Sequence, residues 1–122
     1  MYLPCMKLYK LALIIDDDPD LCMLLKAMLT SYIPEVNYVY SIKHSKELLK
    51  TIQPDVVFID NNLPDGRGVL FVQELKTTLP GARIIVISAM AGLKQLAMEH
   101  GADVFIEKPL TLANVQNALE AL

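Results

Sequence analysis

The sequence predicts one α/β domain built on an open parallel sheet. Its 122 residues lie near the commonest size of a single domain. Hydrophobic residues make up 53% of the chain and charged residues 20%, which is typical of a compact protein with a core. Short apolar runs alternate with longer segments of helical spacing, the pattern of strands joined by crossover helices. Five such pairs give a (βα)5 arrangement.

Five short apolar runs are the predicted strands. The runs LALII (11–15), DVVFI (55–59) and RIIVI (83–87) are nearly continuous in Val, Ile and Leu. This composition is typical of parallel strands that are covered on both faces, so we place these three in the middle of the sheet. The runs VNYVY (36–40) and DVFIE (103–107) are more mixed and suit the two edges.

The segments between the strands carry apolar residues at helical spacing. They predict helices over 20–32, 45–52, 69–79 and 93–100, and a last one from residue 112 to the end. Asp18 is the expected N-cap of the first helix and Pro19 its first residue. Gly101 follows the fourth helix, where a left-handed residue is common. Residues 1–9 are predicted as an N-terminal extension and residues 10–122 as the domain.

Composition argues against several function classes. The net charge is −3 with no basic block, so we expect no direct binding to nucleic acid. Cys5 and Cys22 lie in no metal-binding spacing, and we interpret both as reduced thiols, with Cys22 in the core. The longest uncharged stretch, 84–93, is too short to span a bilayer, and no signal-peptide pattern is present, which favours a cytoplasmic protein without membrane contact. Core packing is also the interpretation for three methionines: Met23, Met28 and Met98.

Polar side chains collect where the predicted strands end. Right-handed crossovers place the carboxyl ends of all parallel strands at one edge of the sheet, where ligands bind in such folds. The residues at that edge are Asp16 and Asp17 after the first strand, Asp60 after the third, Ser88 after the fourth and Lys108 after the fifth. We interpret Asp18 as a cap and Asp65 as part of a turn with Gly66 rather than as ligands.

Acids that meet at one edge repel each other and lose hydration unless a cation neutralises them. Carboxylate oxygens are ligands that suit Mg²⁺. A metal, a lysine and a hydroxyl around one carboxylate form a site for phosphoryl transfer, with Asp60 as the nucleophile.

Four motifs in this order identify a family resemblance. The stretches LIIDDDPD, VVFIDNNLPDGRG, VISA and GADVFIEKPL closely resemble those of the receiver domains of two-component response regulators. The resemblance covers nearly the whole chain and implies a flavodoxin-like fold with strand order 2-1-3-4-5. It also implies that Asp60 accepts a phosphoryl group from a histidine of a sensor histidine kinase or phosphotransfer protein. A downstream protein, or a covalently linked output domain, would then read the phosphorylated state.

The resemblance implies a metal site with four contributors. Asp16, Asp17 and Asp60 would supply carboxylates, and Asn62 would offer its backbone carbonyl. The implied cofactor is Mg²⁺, for which Mn²⁺ can substitute.

The resemblance also implies a switch. Ser88 and Lys108 would bind the phosphoryl group, and Ser88 would act with Phe105, which stands where the family often has Tyr. The peptide between Lys108 and Pro109 is expected to be cis. The stretch from Ser88 to Gly101 is shorter than the family pattern, which predicts a short fourth helix.

Two other functions compete with the receiver interpretation. One is a docking module that works without phosphorylation, a pseudo-receiver. The other is a phosphatase of the haloacid dehalogenase type, in which Asp16 and Asp18 would form the DxD motif; Pro19 and Asp20 break the rest of that motif. The receiver interpretation predicts a signalling switch rather than an enzyme.

Overall fold

The computed structural model describes residues 9–122, so the proposed extension, with Cys5, lies almost wholly outside the described residues. The strands are Leu11–Ile15 (β1), Glu35–Val39 (β2), Val56–Asp60 (β3), Asn62–Leu63 (β4), Gly66–Arg67 (β5), Arg83–Ser88 (β6) and Val104–Glu107 (β7). β4 and β5 form a small antiparallel hairpin. The other five form a parallel sheet in the order β2-β1-β3-β6-β7, which is 2-1-3-4-5 when the hairpin is left out of the count. The predicted fold class and the two edge strands are confirmed.

Five α-helices connect the strands. They are Pro19–Leu29 (α1), Ile42–Leu48 (α2), Gly68–Thr78 (α3), Lys94–Glu99 (α4) and Leu112–Ala121 (α5), and a 3₁₀ turn at Ala91–Leu93 precedes α4. Asp18 caps α1 as predicted, because its Oδ1 accepts hydrogen bonds from the amides of Asp20 (3.0 Å) and Leu21 (3.4 Å). Gly101 follows α4 with a left-handed φ of 104°. Within residues 9–122, no helix is long and apolar enough to cross a membrane.

Several predicted boundaries were wrong by a few residues. α1 ends at Leu29 rather than 32, and α2 begins at Ile42 rather than 45. The early start of α2 has a local and a distant cause. The Ser41 hydroxyl accepts a hydrogen bond from the amide of His44, and the carboxylate of Asp65 accepts from the amides of Ile42 (3.0 Å) and Lys43 (2.8 Å). Asp65 therefore caps a helix that precedes it in the chain by more than twenty residues.

The core has two layers, one on each face of the sheet. Side chains of a strand point alternately to the two faces. Ile14 and Phe58 therefore pack with α1 and α5, whereas Leu13 and Val57 pack with the layer that α3 and α4 cover. Phe58 and the aliphatic residues around it are fully buried. Each such side chain contributes about 1.5–3 kcal/mol through removal of apolar surface from water.

Two of the predicted core methionines lie at the surface. Met28 is partly buried and packs against the core layer covered by α1 and α5. Met23 is 61% exposed and Met98 is 41% exposed, so the core assignment of these two was wrong. α1 carries apolar residues on more than one face, so helical spacing alone did not show which face is buried.

At the edge of the sheet opposite the carboxyl ends, Asp103 joins three groups. Its carboxylate accepts hydrogen bonds from Lys76 Nζ (2.6 Å), Arg83 Nη1 (3.2 Å) and the amide of Ile84 (2.8 Å). Burial acts to raise the pKa of Asp103, but these donors outweigh it and lower the pKa below its usual value. The contacts fix α3 against β6 at this edge.

Leu25 tests the packing of α1. It is fully buried, whereas its neighbour Leu24 is 49% exposed. We expect Leu25→Ala to lower the free energy of unfolding by about 2–5 kcal/mol, because it removes buried methyl groups and leaves a cavity. Leu24→Ala is the matched control and should change it by less than about 0.5 kcal/mol. Urea unfolding followed by circular dichroism measures both values, and equal effects would contradict the packing described here.

Candidate functional site

Three carboxylates meet at the carboxyl edge of the sheet. Asp60 is the last residue of β3 rather than the residue after it, and Asp16 extends β1 by donating its amide to the carbonyl of Val39 (3.1 Å). Asp60 and Asp16 are 4% and 1% exposed, and Asp17 beside them is exposed. One carboxylate oxygen from each of the three lies within 4.8 Å of the others. The structure thus brings together the acids that the sequence placed at this edge.

Lys108 is the cation that faces these acids. It follows β7, and its amide donates to the carbonyl of Ser88 (2.9 Å). Its Nζ lies 2.8 Å from Asp60 Oδ1 and 3.7 Å from Asp16 Oδ2. Burial acts to lower the pKa of Lys108, but the hydrogen bond and charge of Asp60, with the charge of Asp16, raise it overall. The peptide from Lys108 to Pro109 is cis.

The remaining predicted residues lie on three different strands or loops: Asn62 contacts Asp60, Ser88 ends the neighbouring strand β6, and Phe105 lies on β7. The amide of Asn62 donates to Asp60 Oδ2 (3.0 Å), so one oxygen of that carboxylate accepts a hydrogen bond and the other is in an ion pair with Lys108. Ser88 is the last residue of β6, is 3% exposed, and accepts a hydrogen bond from the amide of Met90 at its Oγ (3.0 Å). Phe105 is half-buried on β7 and packs against the core layer that α3 and α4 cover.

In residues 9–122, one buried carboxylate oxygen of this cluster accepts no hydrogen bond and has only a longer ion-pair contact with Lys108. Asp16 Oδ1 accepts from the amide of Asp18 (2.9 Å), but Asp16 Oδ2 is buried and accepts no hydrogen bond within residues 9–122. Burial, followed by the charges of Asp60 and Asp17, raises the pKa of Asp16 from 3.8 to about 6 against the opposing effects of the Asp18 amide and Lys108. A desolvated carboxylate oxygen that accepts no hydrogen bond in the described part of the chain, beside two further carboxylates, fits a small divalent cation.

Comparison with known proteins settles the family. Residues 12–120 match the response regulator receiver domain. The chain belongs to this family. It is 34% identical over 113 residues to the chemotaxis protein CheY of Thermotoga maritima, an alignment that covers 90% of this chain and 94% of CheY. It is 32% identical over 107 residues to the response regulator PilR of Pseudomonas aeruginosa, which covers 86% of this chain and 24% of PilR. The receiver domain therefore spans about a quarter of the length of PilR.

A solved structure agrees with the fold. A response regulator protein from Burkholderia pseudomallei, crystallised with a phosphorylated aspartic acid, a calcium ion and citrate, matches with a TM-score of 0.81 at 24% identity. The match covers 90% of this chain and 66% of that one. Membership of the receiver family decides against the haloacid dehalogenase alternative.

Two buried residues next to the acid cluster, Cys22 and Asn61, were given no site role from the sequence. Cys22 is buried as predicted, but its thiol also donates to the carbonyl of Asp16 (3.3 Å), and burial, followed by the charge of Asp16, raises the pKa of Cys22 to about 12. Asn61, beside Asp60, is 2% exposed. A polar amide directly after a buried apolar run was the available signal for Asn61, whereas nothing in the sequence indicated the contact of Cys22.

Asp16 makes the stability of the metal-free domain depend on pH. Its pKa is about 6 when folded and 3.8 ordinarily, so the folded chain holds more protons between these values. The free energy of unfolding therefore falls as the pH rises through this window. Asp16→Asn removes the cost of ionising this buried carboxyl in the folded chain. We therefore expect it to raise the free energy of unfolding above about pH 6 by about 1–3 kcal/mol.

Urea unfolding in the presence of a chelator, measured from pH 4 to pH 8, gives this difference in the free energy of unfolding, which should be much smaller at pH 4 than at pH 8. Asp20→Asn is the control, because Asp20 is exposed and is not one of the three carboxylates that lie within 4.8 Å of one another. A gain at pH 4 as large as that at pH 8, or none at either, would contradict the electrostatic origin.

Proposed function

We propose that this receiver domain accepts a phosphoryl group on Asp60 from a phosphorylated histidine of a sensor histidine kinase or phosphotransfer protein. The observation that carries the proposal is the buried carboxylate of Asp60, whose two oxygens are oriented by Lys108 Nζ (2.8 Å) and the Asn62 amide (3.0 Å). An oriented nucleophile beside a fixed cation lowers the entropic and electrostatic cost of the transfer.

The same cluster would hold Mg²⁺, with Mn²⁺ as a substitute, through Asp16, Asp17, Asp60 and the backbone carbonyl of Asn62. When bound, the metal supplies positive charge that stabilises the transferring group. The carboxylates are within reach of a single ion, since one oxygen of each lies within 4.8 Å of the others.

In the transfer, a carboxylate oxygen of Asp60 forms a bond to phosphorus while the bond between phosphorus and the donor imidazole nitrogen breaks. The electron pair of the broken bond returns to the imidazole, and the product is a mixed anhydride on Asp60. Lys108, already next to Asp60, would pair with an oxygen of the new phosphoryl group. The hydroxyl of Ser88 would donate a hydrogen bond to another.

The phosphoryl group would then act as a switch. A pull on Ser88 favours an inward position of Phe105, which is half-buried on the neighbouring strand β7. The packing of the surface formed by α4, β7 and α5 changes with it, and with that its affinity for a downstream protein or a linked output domain. The output is binding rather than turnover, so the domain is a signalling switch and not an enzyme.

Phosphorylation of Asp60 is tested by intact mass. Incubation with acetyl phosphate and Mg²⁺ should add one phosphoryl group, and chelation of the metal should prevent the addition. Asp60→Asn should give no adduct because the nucleophile is gone. Asp18→Asn is the matched control, since asparagine caps a helix as well as aspartate does, and it should be phosphorylated normally. An unmodified wild-type chain would refute the proposal and favour the docking module.

The switch is tested through the hydroxyl of Ser88. In the wild type, phosphorylation should shift the backbone amide resonances of residues 102–110. Ser88→Ala should reduce these shifts strongly, because the alanine has no hydroxyl to donate to the phosphoryl group. Ser88→Thr keeps the hydroxyl and should retain them. Shifts of wild-type size in Ser88→Ala would show that the serine does not transmit the change.

A further inference from the structure

Asn61 is a buried polar residue that the proposed transfer does not use. It follows Asp60 directly and is 2% exposed. Side chains alternate along a strand, and Asp60 lies on the face covered by α1 and α5, so the side chain of Asn61 lies on the face covered by α3. Its amide donates to the carbonyl of Ile87 (3.1 Å), which continues the pairing of β3 with β6 past Asp60.

Asn61 caps α3 from outside the helix. The residue at the N-cap position is Arg67, whose side chain makes no capping hydrogen bond. Instead, the amide of Gly68 donates to the backbone carbonyl of Asn61 (2.8 Å), and the amide of Val69 donates to Asn61 Oδ1 (3.1 Å). The first two amides of α3, which no helical partner can satisfy, are thus both satisfied by the residue beside the phosphoacceptor.

The start of α3 also lies directly against the backbone of Asp60. A Cβ atom on Gly68 would come within 2.0 Å of the Asp60 carbonyl oxygen, which leaves no room for any side chain. The start of α3 is therefore in direct contact with the Asp60 backbone, and the two hydrogen bonds to Asn61 join them.

We infer that Asn61 is a positioning residue for phosphoryl acceptance: its side-chain bond to Val69 holds the Asp60 carboxylate in the orientation that the transfer needs. The inference rests on the proposed function of Asp60. It assigns the role to the side-chain oxygen, because the bond from Gly68 uses the backbone and survives any substitution at Asn61.

The test separates positioning from simple helix capping. Asn61→Leu removes the acceptor of the Val69 amide, and Asn61→Leu combined with Arg67→Ser returns a capping hydroxyl at the ordinary N-cap position. The local cap also favours folding of the double variant if the single variant is unstable. Arg67→Ser alone is the control. For each chain, urea unfolding gives the stability, and the phosphorylation rate is measured against the concentration of phosphoramidate with saturating Mg²⁺.

We expect Asn61→Leu to lower both the urea midpoint and the maximal phosphorylation rate, the rate by about tenfold, since small misplacements of reacting groups have large effects. The double variant should recover the midpoint but not the rate. Recovery of both would show that Asn61 is only a cap, and a wild-type rate in Asn61→Leu would overturn the inference while leaving the proposed function intact. A wild-type chain that is not phosphorylated would refute the proposed function itself, and the role of Asn61 with it.

Discussion

The repulsion between the buried carboxylates at one edge of the sheet is the constraint that the rest of the structure has to overcome. Asp16 and Asp60 are buried within reach of each other and of Asp17, with Lys108 as the cation in contact with them in the described part of the chain. Such an arrangement opposes folding unless other interactions outweigh it. The two apolar layers supply that stabilisation, because the residues that precede the acids, Ile14 and Phe58 among them, are completely buried. The pairing of the strands keeps the acids close together, and the packing of the apolar core stabilises the paired strands.

At the opposite edge of the sheet, a partly buried carboxylate has enough hydrogen-bond donors to stabilise its charge. Asp103 accepts hydrogen bonds from a lysine, an arginine and a backbone amide, and its pKa is lowered. Asp16 has one amide and a more distant lysine, and its pKa is raised. The pKa values of these two aspartates therefore shift in opposite directions because their neighbours differ. The edge with Asp103 joins α3 to β6, whereas the edge with Asp16 carries the uncompensated carboxylates that the proposed metal site would use. Functional sites commonly reduce stability in this way.

The sequence predicted those features of the fold that depend on neighbouring residues in the chain. The buried runs and the Asp18 cap could be identified from the sequence, because continuous apolar strands and Asp-Pro helix starts depend on nearby residues. The meeting of Asp16, Asp17, Asp60 and Lys108 could also be predicted, because a parallel sheet brings the carboxyl ends of its strands to one edge. Individual hydrogen bonds between distant segments could not be predicted. The start of α2 depends on Asp65, which comes much later in the chain, and the cap of α3 depends on Asn61 rather than on the adjacent Arg67. The exposure of Met23 was missed for a different reason, since an apolar residue at helical spacing does not reveal which face of α1 meets the sheet.

The hydrogen bonds of Ser88 constrain how a switch at this site would operate. A hydroxyl oxygen can accept one hydrogen bond while its proton is donated elsewhere. Ser88 Oγ accepts from the amide of Met90, so it can donate to a phosphoryl oxygen without giving up that bond. In the proposed switch, a shift of Ser88 towards Asp60 would pull the backbone of Met90 with it. Met90 immediately precedes the 3₁₀ turn that leads into the short helix α4, and its carbonyl accepts a hydrogen bond from the amide of Leu93 (3.1 Å). The displacement would therefore be passed towards α4 through two consecutive hydrogen bonds.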